Sequence, residues 1–448
     1  MSRRPPSGLG GLGAIGAAVL ATAVVAGGFA LERGLGPRPL VAADVPPEIS
    51  GAWFCPHGGG EGWAAWVVVA NPSAEPADLQ IVTLGSTRPA TQTLQVAAGA
   101  QMYVESAAVE PGSSTSVEFF GGPVTAGFVV TKPGGGLASE PCEARSAPRW
   151  VLTEATTLRG FDERIVIMNP FAERAVFDIV LTTEDDLLRP GELTGQVLEP
   201  RRSIAFDLGA FALEKRTLTV TVNVDIGKVA AAGLGITETG LRATLPAGDP
   251  SRRWVLPGAG EEVASAVTVT TPAPDPAPLR IRVQGADGQT EVLSEAEAPA
   301  FRGTTFEVLA PDAGIVVVAE GERGFVAQRR MQREGEEAST GGVPEGAQRW
   351  VAHPVVPPAG GLSSLLIQNA GRETAEVRLR LLTFEGPAEA PSIARVVLPA
   401  GHQRAIPLGD LVGEVPVSVL VEAETGRVVV GQFSISAAGY AVAVGTPL

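Results

Sequence analysis

Two cysteines and three histidines, Cys55, Cys142, His57, His353 and His402, are all this sequence offers of the soft metal ligands. A structural zinc site takes four such groups, so no metal is expected, and "CPH" at Cys55–His57 reads as a disulfide cysteine beside an exposed histidine. Lysine is nearly absent among the 34 basic residues, and the net charge is −15. An acidic surface repels phosphate backbones, so no nucleic-acid partner is expected. Neither His353 in "AHPVVPP" nor His402 in "AGHQRA" lies beside a Gly-x-Ser-x-Gly elbow. The glycine triples at Gly58–Gly60 and Gly134–Gly136 lack the Lys-Ser/Thr ending of a phosphate loop. "GLGGLG" at Gly8–Gly13 mimics a dinucleotide fingerprint without the strand that must precede it. The adjacent acids Asp185–Asp186 and Glu336–Glu337 read as solvated turn residues. These absences argue for a protein that is not an enzyme and carries no cofactor.

What is present begins with an uncharged stretch from Leu9 to Leu31. As a helix it is roughly 35 Å long at about 1.5 Å per residue, enough for a bilayer core of about 30 Å. Arg3 and Arg4 precede it, which places the short tail (1–8) in the cytoplasm and the remainder outside. The segment (9–31) is read as a signal anchor. Cleavage after "VVA" (Val24–Ala26) is the alternative, and would release a secreted protein. The following Pro-rich stretch (32–49) reads as a stiff tether. An extracytoplasmic location lets a disulfide persist, and Cys55 and Cys142 fall within one proposed module.

The chain then repeats itself. Trp53, Trp150, Trp254 and Trp350 recur about every hundred residues, three of them in "RW". Each is followed by an apolar run that stops at a turn: "VVVANP", "IVIMNP", "VTVTTP", "LLIQNA". Strict alternation comes next, as in "LRIRVQ" (Leu279–Gln284) and "VRLRLL" (Val377–Leu382), the mark of strands with one buried face. About seven strands per hundred residues predict an all-β chain of four tandem immunoglobulin-like β-sandwich modules after one N-terminal transmembrane helix. The expected modules are 50–148, 149–252, 253–334 and 349–448, with 335–348 a polar linker. Asn71, Asn169 and Asn369 are read as turn formers that bond their own backbone, and Thr271 is the departure in the third copy.

Residues that could meet a ligand are few. Recurrence at module starts argues that the four tryptophans pack at cores or junctions. Trp63 occurs in one copy only and is a better surface candidate. Arg329, Arg330 and Arg333 lie on what reads as the last strand of the third copy. They either meet anionic wall polymer or protect an exposed strand edge from unwanted pairing.

The string "WFCPHGGG…WVVVANPSAEPADLQIVTLGS", preceded by a membrane segment and followed by further modules, resembles a family of uncharacterised actinobacterial secreted or membrane-anchored envelope proteins, a domain of unknown function. The resemblance implies an anchored or exported protein of a Gram-positive envelope and brings no catalytic residues with it. The expectation is a membrane-tethered scaffold, spacer or binding protein facing the exterior, with envelope polysaccharide or envelope protein as partner. The alternatives are a carbohydrate-binding accessory to wall-glycan assembly, and a hydrolase whose acids or histidine converge only in the fold.

Overall fold

Each copy of the repeated sequence folds into eight strands. A computed structural model describes residues 50–448 except 87, 107–109, 259–262 and 309–312. The expected tail, membrane segment and tether lie outside the described residues. No helix among the described residues is long and apolar enough to cross a membrane.

The first copy runs β1 (Ser50–Cys55), β2 (Ala64–Ala70), β3 (Ala77–Leu84), β4 (Ala90–Val96), β5 (Gln101–Glu105), β6 (Ser114–Phe120), β7 (Thr125–Thr131) and β8 (Leu137–Pro141). The second holds β9 (Arg149–Ala155), β10 (Asp162–Asn169), β11 (Ala175–Thr182), β12 (Leu187–Leu188), β13 (Gln196–Leu198), β14 (Arg202–Asp207), β15 (Leu218–Ile226), β16 (Ala230–Ile236) and β17 (Leu241–Thr244). The third holds β18 (Arg253–Leu256), β19 (Ala264–Thr270), β20 (Ala277–Gly285), β21 (Gly288–Ala298), β22 (Thr304–Val308), β23 (Gly314–Ala319), β24 (Val326–Arg333) and β25 (Glu336–Gly341). The fourth holds β26 (Arg349–Ala352), β27 (Ser363–Gln368), β28 (Ala375–Thr383), β29 (Gly386–Ala388), β30 (Arg395–Leu398), β31 (Gln403–Pro407), a one-turn helix α1 (Gly409–Val412), β32 (Ser418–Thr425), β33 (Val429–Ser436), β34 (Gly439–Val444) and β35 (Thr446–Pro447).

Pairing is the same in every copy. One antiparallel sheet has the order first–sixth–third–fourth, as in β1-β6-β3-β4, and the other fifth–second–seventh–eighth, as in β5-β2-β7-β8. In the second and fourth copies the fourth strand is split in two, and β35 adds a short edge to the fourth. This corrects the immunoglobulin-like expectation. There are eight strands rather than about seven, and the first joins the sixth, whereas immunoglobulin domains place strands A, B, E and D in one sheet. The fold is a tandem array of two-sheet antiparallel sandwiches.

Local periodicity explains the strands. In β28, Val377, Leu379 and Leu381 are buried while Arg378 and Arg380 are exposed. In β2 the pattern fails informatively: Val67, Val68, Val69 and Ala70 are all fully buried. Val67 and Val69 face the core of their own sandwich, with Leu79, Ile81, Val117 and Phe128. Val68 packs outward against Val355, Ala441 and Ala443 of the fourth copy. A strand covered on both faces reads as a continuous apolar run.

That outward packing closes a ring. The second sheet of each copy lies on the outer face of the first sheet of the copy before it. Met168 and Ala230 thus meet Phe54, Val82 and Leu84, and Gln368 of the fourth copy bonds Gln284 of the third. The first copy completes the cycle on the fourth, where Ala70 meets Val351, Leu382 and Leu420. The eighth strands, β8, β17, β25 and β34, touch one another in turn, and β34 touches β8. A head-to-tail contact repeated through a rotation that closes gives a ring rather than a filament. The modules laid end to end that the sequence suggests are therefore not what forms; residues 49–448 make one compact unit.

Two smaller expectations also change. The stretch 335–348 is not a linker, because β25 occupies its first half with the burial pattern iBBBBi. Consequently β24, which carries Arg329, Arg330 and Arg333, is no edge: it runs between β19 and β25.

Candidate functional site

The interior of the ring is polar where its second and third copies meet. Arg242 on β17 is 1 % exposed. It is ion-paired to Glu163 from β10, lies 3.5 Å from Glu337 Oε2 on β25, and lies 3.9 Å from Glu154 Oε1 on β9. Thr244 donates to Glu154 Oε1 at 2.7 Å and shares a hydroxyl contact with Ser339. Gln328 spans the same seam, accepting from the Thr153 N–H at 2.5 Å and donating to the Leu245 carbonyl at 2.8 Å. Burial lifts the Glu163 carboxyl to about 7 despite the opposing pull of Arg242. Burial also works against the Arg242 guanidinium, but the three carboxylates together outweigh it and its pKa is raised. Glu337 is thus buried, which corrects its reading as a solvated turn residue: the strand that carries it faces a charged seam. Asp185 remains exposed, 3.2 Å from Lys215.

Next to this seam lies a cavity of about 700 Å³, walled by the segments that join the copies. Trp53, Trp150, Trp254 and Trp350 all reach its wall, as do Glu140 and Glu143. The indoles are held by the modules themselves. Trp53 Nε1 donates to the Val124 carbonyl (2.7 Å), Trp150 to Val229 (3.1 Å), Trp254 to Phe325 (2.6 Å) and Trp350 to Ala347 (3.2 Å). Trp150, Trp254 and Trp350 are buried and Trp53 is half-buried. Glu140 accepts from the Gly341 N–H at 3.3 Å. Burial holds its carboxyl well above the usual range, and burial lifts Glu143 to about 7 against the pull of Arg145. Sequence reasoning missed Glu140, Glu143, Glu154 and Glu163 because no local pattern marks them; what surrounds them comes from other parts of the chain.

The residues singled out from sequence separate clearly. Cys55 and Cys142 are joined, S–S 2.00 Å, within the first core. His57 is not exposed: it is fully buried, 2.9 Å from Thr115 Oγ1, and burial lowers its pKa to about 4. His353 is buried against Gly127, with its pKa lowered to about 3 by the same cause. His402 Nδ1 lies 2.9 Å from the Ala400 carbonyl. Trp63 is half-buried over Gly60 and packs on the first core. Arg329 is fully buried; its Nη1 donates to the Ala313 carbonyl at 2.8 Å and its Nε to Ser265 Oγ at 2.9 Å. Burial draws its pKa down to about 10, so Arg329 is lost as a surface contact, while Arg330 and Arg333 stay half-buried. The asparagines act as turn formers. Asn169 Oδ1 accepts from the Phe171 N–H at 3.1 Å, while Nδ2 donates to the Glu173 (2.7 Å) and Leu198 (3.1 Å) carbonyls. Asn71 and Asn369 repeat the arrangement, and Thr271 keeps the turn with a 3.3 Å bond from the Ala273 N–H.

Comparison with known proteins adds little about chemistry. No curated protein matches the chain. Among solved structures, the Streptomyces avermitilis alpha-L-rhamnosidase complexed with L-rhamnose is 11% identical, covers 83% of this chain and 55% of its own, and has a TM-score of 0.13. The chain thus spans only about half of that enzyme. A tetra-tandem repeat from the extending region of a large adhesion protein is 11% identical, with 84% and 92% covered and a TM-score of 0.11. Neither likeness carries an argument. A family model does match, over residues 123–366, reaching from the first copy into the fourth. With more than half of its length matched, the chain belongs to the family of unknown function DUF5719.

Proposed function

We propose that this is a non-catalytic, membrane-anchored binding platform or scaffold of the cell envelope, held outside the membrane by its N-terminal apolar segment. The observation that carries the reading is the closed ring. Its recurring asparagines, tryptophans and interface glutamines are engaged in holding four sandwiches rigid, which leaves the outward strand edges and turns as the surface for partners. A closed ring has less reach than four modules in a line, so a platform fits better than a spacer. The Cys55–Cys142 bond suits an oxidising compartment. Envelope protein or polysaccharide is the partner class, and the membrane contact is the segment 9–31.

The experiment is fractionation with protease protection of the full chain, mass spectrometry of its mature N-terminus, and affinity capture from envelope extracts. A chain recovered from the cytosol with free thiols at Cys55 and Cys142 ends the reading.

Two other readings have an observation each. Glu140 and Glu143 at the cavity favour a hydrolase; loss of a polysaccharide-cleaving activity in Glu140→Gln and Glu143→Gln would establish it. The half-buried Trp53 at the same wall favours a carbohydrate-binding accessory, for which retention on wall polysaccharide, lost in Trp53→Ala, is the measurement.

A further inference from the structure

The turn between the sixth and seventh strands carries a cation in three of the four copies: Lys228, Arg323 and Arg427. In two of them the turn that follows the second strand supplies a partner. Lys228 lies 5.8 Å from the centre of the Phe171 ring, and Arg323 is 2.8 Å from Asp275. In the fourth copy that turn supplies a second cation, Arg372. Among the described residues, Arg427 has one ion-pair contact, 3.8 Å from Glu345, whose side chain is 76% exposed.

Between Arg372 and Arg427 is a cavity of about 370 Å³, also lined by Gln348, Gly371, Glu373 and Gly426. Both walls are rigid. Asn369 pins the first turn by accepting from the Gly371 N–H at 3.0 Å and donating to the Glu373 carbonyl at 2.8 Å. Gly426 (φ +72°) sits so close to β28 that a Cβ there would lie 3.1 Å from the Ala375 Cα, which favours glycine at the turn. Arg253 comes in from the third copy and donates to the Ala370 carbonyl. Burial and then its like-charged neighbours Arg282 and Arg372 lower its pKa. Two guanidinium groups thus line the site and a third, Arg253, is held against the same turn, while the acids are Glu373 in the lining and Glu345 beside Arg427, in a chain of net charge −15. Such crowding is unfavourable unless an anion offsets it. The planar fork of arginine suits an oxyanion.

We infer that the fourth copy holds an oxyanion site, with Arg372 and Arg427 as its paired donors and a phosphate-type group as its ligand. The site stands apart from the envelope assignment, because binding to purified protein does not depend on where the chain resides.

The test is isothermal titration of the full-length chain with inorganic phosphate at low salt, then with polyphosphate and with vesicles of anionic lipid. Saturable phosphate binding that weakens at least tenfold in Arg372→Ala/Arg427→Ala, and is unchanged in Lys228→Ala at the equivalent turn, supports the site. Tighter binding of polyphosphate than of vesicles identifies a polymer as the source, and the reverse a lipid headgroup. Absence of saturable binding, equal affinity in the double variant, or equal loss in Lys228→Ala overturns it. Circular dichroism of each variant separates lost binding from lost folding.

Discussion

Gln101 and Ser418 are 317 positions apart in the chain, yet the Gln101 Oε1 accepts from both the backbone N–H and the hydroxyl of Ser418, each at 2.7 Å. The same amide donates to the Pro416 carbonyl at 2.6 Å. One side chain thus joins the first strand-edge of the ring to its last copy.

Replacing that amide with an apolar group tests ring closure. Gln101→Leu takes their partner from the Ser418 N–H, the Ser418 hydroxyl and the Pro416 carbonyl, at about 1–3 kcal/mol for each orphaned group. Urea unfolding reads the loss, and hydrogen exchange at the Ser418 amide localises it. Unchanged exchange there would mean that the seam does not rely on this contact.

Reduction or Cys55→Ala/Cys142→Ala opens a loop of 87 residues. The chain-entropy argument puts the lost stability at about 4–5 kcal/mol. Calorimetry of the oxidised and variant chains measures it, and coincident melting curves would refute it.

Asn169→Asp keeps the size and the acceptor but removes the two N–H donors that hold the Glu173 and Leu198 carbonyls. A carboxylate aimed at carbonyl oxygens costs more than the lost bonds, so a destabilisation of about 2–4 kcal/mol is expected. Thr271→Asn in the third copy should be nearly neutral by comparison, since that turn already bonds through Thr271 Oγ1. Denaturant midpoints of the two variants decide both points.

The buried seam gives an uncommon pH dependence. Glu163 is raised from 4.5 to about 7. Its contribution is therefore complete below pH 4.5 and lost as pH rises through about 7, by about 3 kcal/mol at ~1.4 kcal/mol per unit. His353 runs the other way. Its pKa falls from 6.5 to about 3, so its contribution is present above pH 6.5 and lost as pH falls toward 3. Stability profiles of Glu163→Gln and His353→Leu, each subtracted from the parent profile, should slope in opposite directions. Parallel profiles would contradict the assignment.

Arg242→Met leaves Glu154, Glu163 and Glu337 buried without their counter-charge, for a loss of about 3–5 kcal/mol. Adding Glu163→Gln to that variant should recover part of it. A double variant no more stable than the single one would show that Glu163 carries no unpaired charge once Arg242 is gone.

Much of this molecule is readable without coordinates. The alternation of Val377, Leu379 and Leu381 with arginines, the asparagine turns, and the Cys55–Cys142 pair each follow from chemistry within one module. The ring was legible only in hindsight, from "VVVA" and "IVIM", runs with no polar face to give to water. The stretch "REGEEASTGG" misled in the opposite sense, because Glu337 and Ser339 are buried against Arg242 and Thr244 rather than solvated. Polar composition says that a group needs a partner, not whether that partner is water.

Strand period, turn chemistry and module length are set by neighbours within a few residues or by one sandwich's own core, so the sequence alone determined four copies of a two-sheet β unit. Which outer faces meet, where three dispersed acids gather around one guanidinium, and that Arg372 faces Arg427 depend on surfaces brought together across the chain. Only the tertiary structure decided these, because a side chain's pattern records that it is covered but not by what.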